Sequence, residues 1–249
     1  MLNYKAPANL LAGKTIMVTG ASDGIGRAAA LTYAQHGARV ILHGRDHKKL
    51  QTVASEIAAM TGLTAPLQLP CDLLTAQPAD YQRLAQHIRQ YSPVLDGLLL
   101  NAGILGPLQP LEQVALDTWQ QVLHVNLTSN LLLVQALLPA LRVSTAASVI
   151  FTSSGVGRQG RALWGSYAVS KFATEGLMQV LADELRTTSI RVNAINPGAT
   201  RTQMRASARP QEDPLTLATP AQLMPLYLYL MGRDGAGIHG QSLDAQPRR

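Results

Sequence analysis

Five short apolar runs, separated by longer amphipathic stretches, restrict the possible folds of this chain more than any other feature. The runs are Thr15–Val18, Arg39–Leu42, Gly97–Leu100, Ser148–Phe151 and Arg191–Ile195. A strand with one wet face would alternate polar and apolar residues. These do not, and read as strands covered on both faces, as in a parallel sheet. Amphipathic segments occupy about 24–36, 46–60, 79–91, 112–141 and 165–188. Such alternation, closed by right-handed crossovers, predicts a doubly wound, Rossmann-type α/β fold. The expected sheet has about seven parallel strands with helices on both faces.

No linker or shift in composition divides the 249 residues, so a single domain, 1–249, is expected. The least regular stretch, about 199–218, is rich in Arg, Pro, Ser and Thr and is read as a lid over a substrate. A helix restarts at Thr219-Pro220-Ala221-Gln222, with Thr as cap, Pro at the first helical position and Gln three residues after the cap.

The single cysteine, Cys71, excludes an internal disulfide and a thiolate cluster, which fits a cytoplasmic protein. No uncharged apolar run of about 18 residues argues for a membrane span. Met1–Pro7 lacks the pattern of a signal peptide. The net charge is +6, from 21 Lys and Arg against 15 Asp and Glu. These charges are scattered rather than gathered on an aromatic-studded helix, so anionic small molecules are expected as partners and nucleic acid is not.

Two segments carry chemistry. The first apolar run ends in Thr19-Gly20-Ala21-Ser22-Asp23-Gly24-Ile25-Gly26 and leads into a helix. Glycines there allow a sharp turn and a close approach of backbone to a pyrophosphate, whose charge meets the helix N-terminus. The second segment, Ser154 to Lys171, holds a hydroxyl, a phenol and an ammonium. Tyr167 and Lys171 are four apart, so a helix puts them on one face. An ammonium beside a phenol is expected to lower the phenol's pKa from about 10, suiting it to exchange protons with a carbonyl or alcohol oxygen. No Gly-x-Ser-x-Gly turn suggests a serine hydrolase. The six histidines form no ligand pair, so no metal is expected.

Over residues 12–244 the chain resembles the short-chain dehydrogenase/reductase family. The matching residues are Thr19-Gly20-x-x-x-Gly24-Ile25-Gly26, Cys71-Asp72-Leu73, Asn101-Ala102-Gly103, Asn126, Ser154, Tyr167-x-x-x-Lys171 and Pro197-Gly198-x-x-x-Thr202. The resemblance implies an oxidoreductase that moves a hydride between a nicotinamide and a carbonyl or hydroxyl carbon. Tyr167 would be the acid/base and Lys171 would lower its pKa and bind the nicotinamide ribose. Ser154, thirteen residues before Tyr167, would polarise the substrate oxygen in preference to Ser153. Asn126 would hold a water in a relay to Lys171. Ser166 and Ser170 would pack or cap.

On the cofactor side, the resemblance implies a cradle of Gly20, Ser22, Asp23, Gly24, Ile25 and Gly26. Asp72, with Leu73 beside it, would meet the adenine. Asn101, Ala102 and Gly103 would brace the sheet and flank the adenosine ribose. Pro197, Gly198, Thr200 and Thr202 would hold the nicotinamide half. NAD-preferring members carry a carboxylate where this chain has Gly44, and Arg45 next to it can bond a 2′-phosphate. NADP(H) is therefore expected over NAD(H), although Asp23 stands where many NADP-using relatives carry a base. A cofactor-binding sensor or scaffold without turnover is the alternative.

Segments Ile104–Pro110 and Gly155–Ser166 and the lid would select the substrate, a small carbonyl or alcohol. Arg158, Arg161, Arg205 and Arg209 are either a basic mouth for an anionic compound or ordinary surface residues. The resemblance also implies a homodimer or homotetramer built on the helices that carry Asn126 and Tyr167. The ending Asp244–Arg249 departs from the family's usual Asp-Gly-Gly-like turn, which leaves a C-terminal subunit contact open.

Overall fold

The computed structural model describes residues 3–60 and 66–247; Arg248 and Arg249 lie outside them. Strand β1 (Thr15–Thr19) leads to helix α1 (Gly24–Gln35), β2 (Arg39–Gly44) to α2 (His47–Ala58), and β3 (Leu67–Pro70) to α3 (Pro78–Tyr91). After β4 (Gly97–Leu100) come α4 (Leu116–Leu123), a π turn (His124–Thr128) and α5 (Ser129–Leu141). Then follow β5 (Ala147–Thr152), α6 (Gly165–Leu185), β6 (Ile190–Asn196), α7 (Gln203–Ala208), α8 (Pro220–Met231) and β7 (Ser242–Asp244).

All six strand pairings are parallel, in the order β3-β2-β1-β4-β5-β6-β7. Chain direction across the sheet reverses between β1 and β4, opening a crevice at the carboxyl ends of the strands. Neighbouring residues of β1 serve opposite faces. Met17 joins the core under α3, α5 and α6, while Ile16 and Val18 join the core under α1, α2 and α8. That division explains why the central strands lack polar alternation.

The two strands not singled out by the sequence, β3 and β7, are the sheet edges. Each is short and part-exposed, and β3 ends in Pro70, which an edge strand tolerates. The segment expected as one helix over 112–141 begins at Leu116 and runs unbroken to Leu141, interrupted in its hydrogen bonding by the π turn. By length and hydropathy this stretch could cross a membrane. In this fold Leu133, Leu137 and Leu141 are fully buried in the core.

The 199–218 segment is more ordered than its composition implied. It contains α7, capped by the Thr202 hydroxyl, which accepts from the Arg205 N–H at 3.2 Å. Thr200 bridges to Ala218. Arg201 donates to the carbonyls of Pro214, Leu215 and Leu217, and Arg205 forks onto Glu212 at 2.6 and 2.7 Å. Side-chain contacts within the segment, an ion pair and arginine–carbonyl bonds, hold it rather than an apolar period that the sequence could announce. The cap and Pro expected for α8 are present as a capping box with Gln222.

Candidate active site

The end of β1 is built by close backbone approach. Gly20 and Gly24 have φ of +64° and +52°, a region that costs other residues steric strain. A Cβ on Gly26 would lie 2.1 Å from the Gly20 carbonyl oxygen, so α1 can press against the turn only with glycine there. Asp23 caps α1, its carboxylate accepting from the Gly24 N–H at 2.7 Å, and its other oxygen pairs with Lys49 at 3.2 Å. Asp23, standing where many NADP-using relatives carry a base, is thus engaged by a cap bond and a cation. Ser22 faces Gly44, where an added Cβ would stand 3.4 Å from its hydroxyl, and Arg45 is exposed beyond.

Thr19 joins this turn to the neighbouring strand. Its hydroxyl accepts from the N–H groups of Asn101 and Ala102 at 2.8 and 3.0 Å. The Asn101 amide donates to the Thr19 carbonyl and accepts from the Thr152 hydroxyl at 3.2 Å, spanning β1 to β5. Asp72 closes its own turn by accepting from the Leu74 N–H at 3.0 Å, with Leu73 buried beside it. Cys71 is half-buried, and burial pushes its thiol up. On the far side, Gly198 (φ +69°) starts a loop in which Thr200 is buried, and Thr202 comes against the cradle. A Cβ on Gly24 would lie 3.2 Å from Thr202 Cγ2.

Ser154, Tyr167 and Lys171 converge where β5 ends and α6 begins. Tyr167 and Lys171 are both buried on one face of α6. Ser154 follows β5 in an extended conformation, close enough to the Tyr167 hydroxyl to draw the phenol's pKa down. Lys171 Nζ donates to the Thr152 carbonyl at 2.7 Å and lies 5.7 Å from the centre of the Tyr167 ring. A Cβ on Gly103 would stand 3.1 Å from Asn126 Oδ1 and 3.8 Å from Lys171 Nζ, so these three meet. Asn126 is fully buried in the π turn, a device that frequently marks functional positions. Its side chain clamps the Ile104 backbone in both directions, at 2.8 and 2.9 Å, and donates to Ser170 at 2.9 Å. Ser170 in turn donates to the Tyr167 carbonyl at 2.7 Å.

The electrostatics differ from the expectation for an isolated Tyr–Lys pair. Burial pushes the Tyr167 phenol up to about 12, with the Ser154 hydrogen bond pulling the other way. Burial brings the Lys171 ammonium down to about 8, opposed by the Glu175 carboxylate. Desolvation dominates because Lys171 spends its hydrogen bond on a carbonyl rather than on the phenol.

These elements have close counterparts. The short chain dehydrogenase family model matches residues 14–213. The chain belongs to the short chain dehydrogenase family. It is 55% identical over 248 residues to the uncharacterized oxidoreductase YciK of Escherichia coli K12, covering 100% of this chain and 98% of that one. A short chain dehydrogenase of Escherichia coli CFT073, crystallised with NADPH, superposes with a TM-score of 0.95 at 56% identity, covering 97% of this chain and 100% of that one. Cyclohexanol dehydrogenase of Acinetobacter sp. SE19 is more distant, 27% identical over 241 residues and covering 95% and 94%.

Around Tyr167 this short chain dehydrogenase has a small apolar cluster separate from both cores. Val156, Tyr167 and Ala168 pack with Leu105, Trp164 and Met204. Two of the four arginines considered for a basic mouth point elsewhere: Arg158 pairs with Asp244 at 2.6 Å, and Arg205 with Glu212. Arg209 lies over the Trp164 ring at 6.0 Å, and Arg161 is exposed. Leu163 holds a left-handed backbone (φ +72°) while half exposed, strain of the kind that gathers near functional sites.

Three participants were absent from the sequence reading. Gln246 donates to the carbonyls of Pro197 and Ala199 at 2.7 and 2.9 Å, clamping the loop around Gly198. The ending that departs from the family pattern therefore has a local use. Thr152 holds Lys171 and Asn101. Glu175 is a buried carboxylate one turn beyond Lys171; the four-residue spacing was the available signal.

Proposed function

We propose that this protein is an NADP(H)-dependent carbonyl reductase or alcohol dehydrogenase with Tyr167 as its acid/base. The observation that carries the reading is the convergence of Ser154, Tyr167 and Lys171 at the carboxyl end of β5, in the crevice that also holds the glycine turn. The cradle suits a dinucleotide. The approach at Gly26 and the left-handed turns at Gly20 and Gly24 leave room beside the α1 N-terminus that side chains would fill. Gly20, Ser22, Gly24, Ile25 and Gly26 would hold the pyrophosphate, and Asp72, Leu73, Asn101, Ala102 and Gly103 the adenosine half. Pro197, Gly198, Thr200 and Thr202 would hold the nicotinamide half. Exposed Arg45, with Lys49 offsetting Asp23, supports NADP(H), as do the NADP and NADPH complexes of two close relatives.

The bound nicotinamide supplies or accepts the hydride. In reduction Tyr167 donates its proton to the carbonyl oxygen, and in oxidation its phenolate takes the proton of the hydroxyl. Burial keeps the phenol protonated at neutral pH, so the donor is charged with its proton before substrate arrives. Ser154 hydrogen-bonds the same oxygen and is preorganised by its extended backbone and its contact with Tyr167. Lys171, held by the Thr152 carbonyl, offers its remaining N–H donors to the ribose and its charge to the developing phenolate. Asn126 keeps the Ile104 backbone beside this group. The 199–218 segment closes over the apolar cluster as a lid. Exposed Leu131 on α5, with Val169, Phe172 and Val180 on α6, supports association of two copies through these helices.

Tyr167→Phe removes the proton donor and spares most packing. NADPH-dependent reduction across a panel of ketones, aldehydes and quinones should fall by about 10²- to 10⁴-fold. Activity within about tenfold of wild type would remove Tyr167 from its role. Tight NADPH binding with no turnover of any compound would mark the protein as a cofactor-binding sensor.

A further inference from the structure

We propose that Glu175 is a positioning residue of the reacting centre, whose buried carboxylate orients the Ser153–Ser154 strand end and holds the charge on Lys171. The inference rests on the oxidoreductase reading above. Glu175 is 6% exposed and lies four residues after Lys171, on the same face of α6. One oxygen, Oε1, accepts from three elements. The Ser153 hydroxyl donates at 2.5 Å from the end of β5, the Ser242 hydroxyl at 2.7 Å from β7, and Arg158 Nε at 3.5 Å from the turn between β5 and α6.

The charges facing Glu175 are few. Arg158 makes its shortest carboxylate contact with Asp244, at 2.6 Å, and donates again to the Ser242 hydroxyl. Asp244 also accepts from the Asn196 amide at 2.9 Å. Glu175 and Asp244 therefore share the Arg158 guanidinium, which leans toward Asp244. Lys171, one turn back on α6, feels the Glu175 charge, and its own hydrogen bond goes to an uncharged carbonyl. A buried ammonium with no carboxylate near it gives up its proton readily. The phenol of Tyr167 is the other titratable group on this face, and burial keeps it neutral.

Ser153 transmits the second effect. It is 1% exposed, and its N–H is fixed to the Ile195 carbonyl at 2.8 Å. Anchoring Ser153 on Glu175 fixes the strand end that carries Ser154, whose extended backbone follows directly from it.

The test is the pH dependence of NADPH binding, followed by fluorescence titration, with carbonyl turnover measured in parallel. In the wild-type protein affinity should fall as Lys171 deprotonates, giving a limb near pH 8. Glu175→Gln keeps the shape and an acceptor but removes the charge. It should move the limb to lower pH by about one unit and lower kcat more than it changes KM. Arg158→Gln leaves Glu175 less compensated and should move the limb upward. Asp183→Asn, an exposed carboxylate on the same helix, should leave it unmoved. An unmoved limb in either folded variant overturns the proposal. So does a wild-type protein with no limb between about pH 6.5 and 9.5. A shifting limb without turnover of any carbonyl would sink the oxidoreductase reading and keep Glu175 in its place. No NADPH binding at any pH would overturn both.

Discussion

The glycine turn after β1 and the proposed reacting centre at the start of α6 open onto the same crevice, yet they are made of opposite materials. The turn is backbone: eight consecutive residues, two left-handed glycines and a helix pressed against a carbonyl. The reacting centre is side chains from β5, α6, the π turn and, through Glu175, β7. The first excludes side chains to leave room. The second buries a phenol, an ammonium and a carboxylate, and spends stability to keep them there. Substitutions should therefore separate the two. Damage to the turn should cost folding and cofactor together, whereas damage to the centre should cost turnover without cost to folding.

The largest effect is expected at Gly26. Alanine there must displace the Gly20 carbonyl, a backbone atom with little freedom. Overpacking of about 3 kcal/mol should lower the melting temperature, and the displaced cradle backbone should weaken NADPH binding by about a hundredfold. Unchanged NADPH titrations for Gly26→Ala would break the contrast at its clearest point.

Lys171→Met should do the reverse. The ammonium of Lys171 is brought from 10.5 to about 8 in the folded protein, so between those values the unfolded chain binds more protons and stability rises with pH. Below about pH 8 the buried charge is a full burden of about 3 kcal/mol at most, offset by the bond to the Thr152 carbonyl. Methionine removes both. Thermal unfolding at pH 7 should show a midpoint equal to or above wild type, while carbonyl reduction is lost. The gain should disappear toward about pH 10, where the wild-type amine is neutral. A clear drop in the pH 7 midpoint would mean that the hydrogen bond outweighs the desolvation.

The smallest effect is expected at Lys49, an exposed partner of Asp23. Lys49→Ala should leave the melting temperature within error, as for most exposed ion pairs. It should weaken NADPH binding a few-fold at low salt, by uncovering the Asp23 charge, and the difference should fade as ionic strength rises. Equal loss of NADH and NADPH affinity would detach Lys49 from the 2′-phosphate.

The sequence by itself determined the parts that are local. Continuous apolar runs dictate doubly covered parallel strands, glycine spacing dictates the turn after β1, and a four-residue interval puts Tyr167 and Lys171 on one helical face. The Thr219–Gln222 cap is equally local and was legible for the same reason. Only the tertiary structure decided what those groups experience. Burial drives the phenol up rather than letting Lys171 bring it down. The π turn aims Asn126 at the Ile104 backbone, and Arg158 and Arg205 are drawn into ion pairs and away from a substrate mouth. Periodicity records which face of an element is dry. Desolvation and long-range pairing depend on what other elements bring to that face, and that is specified only once the chain has closed on itself.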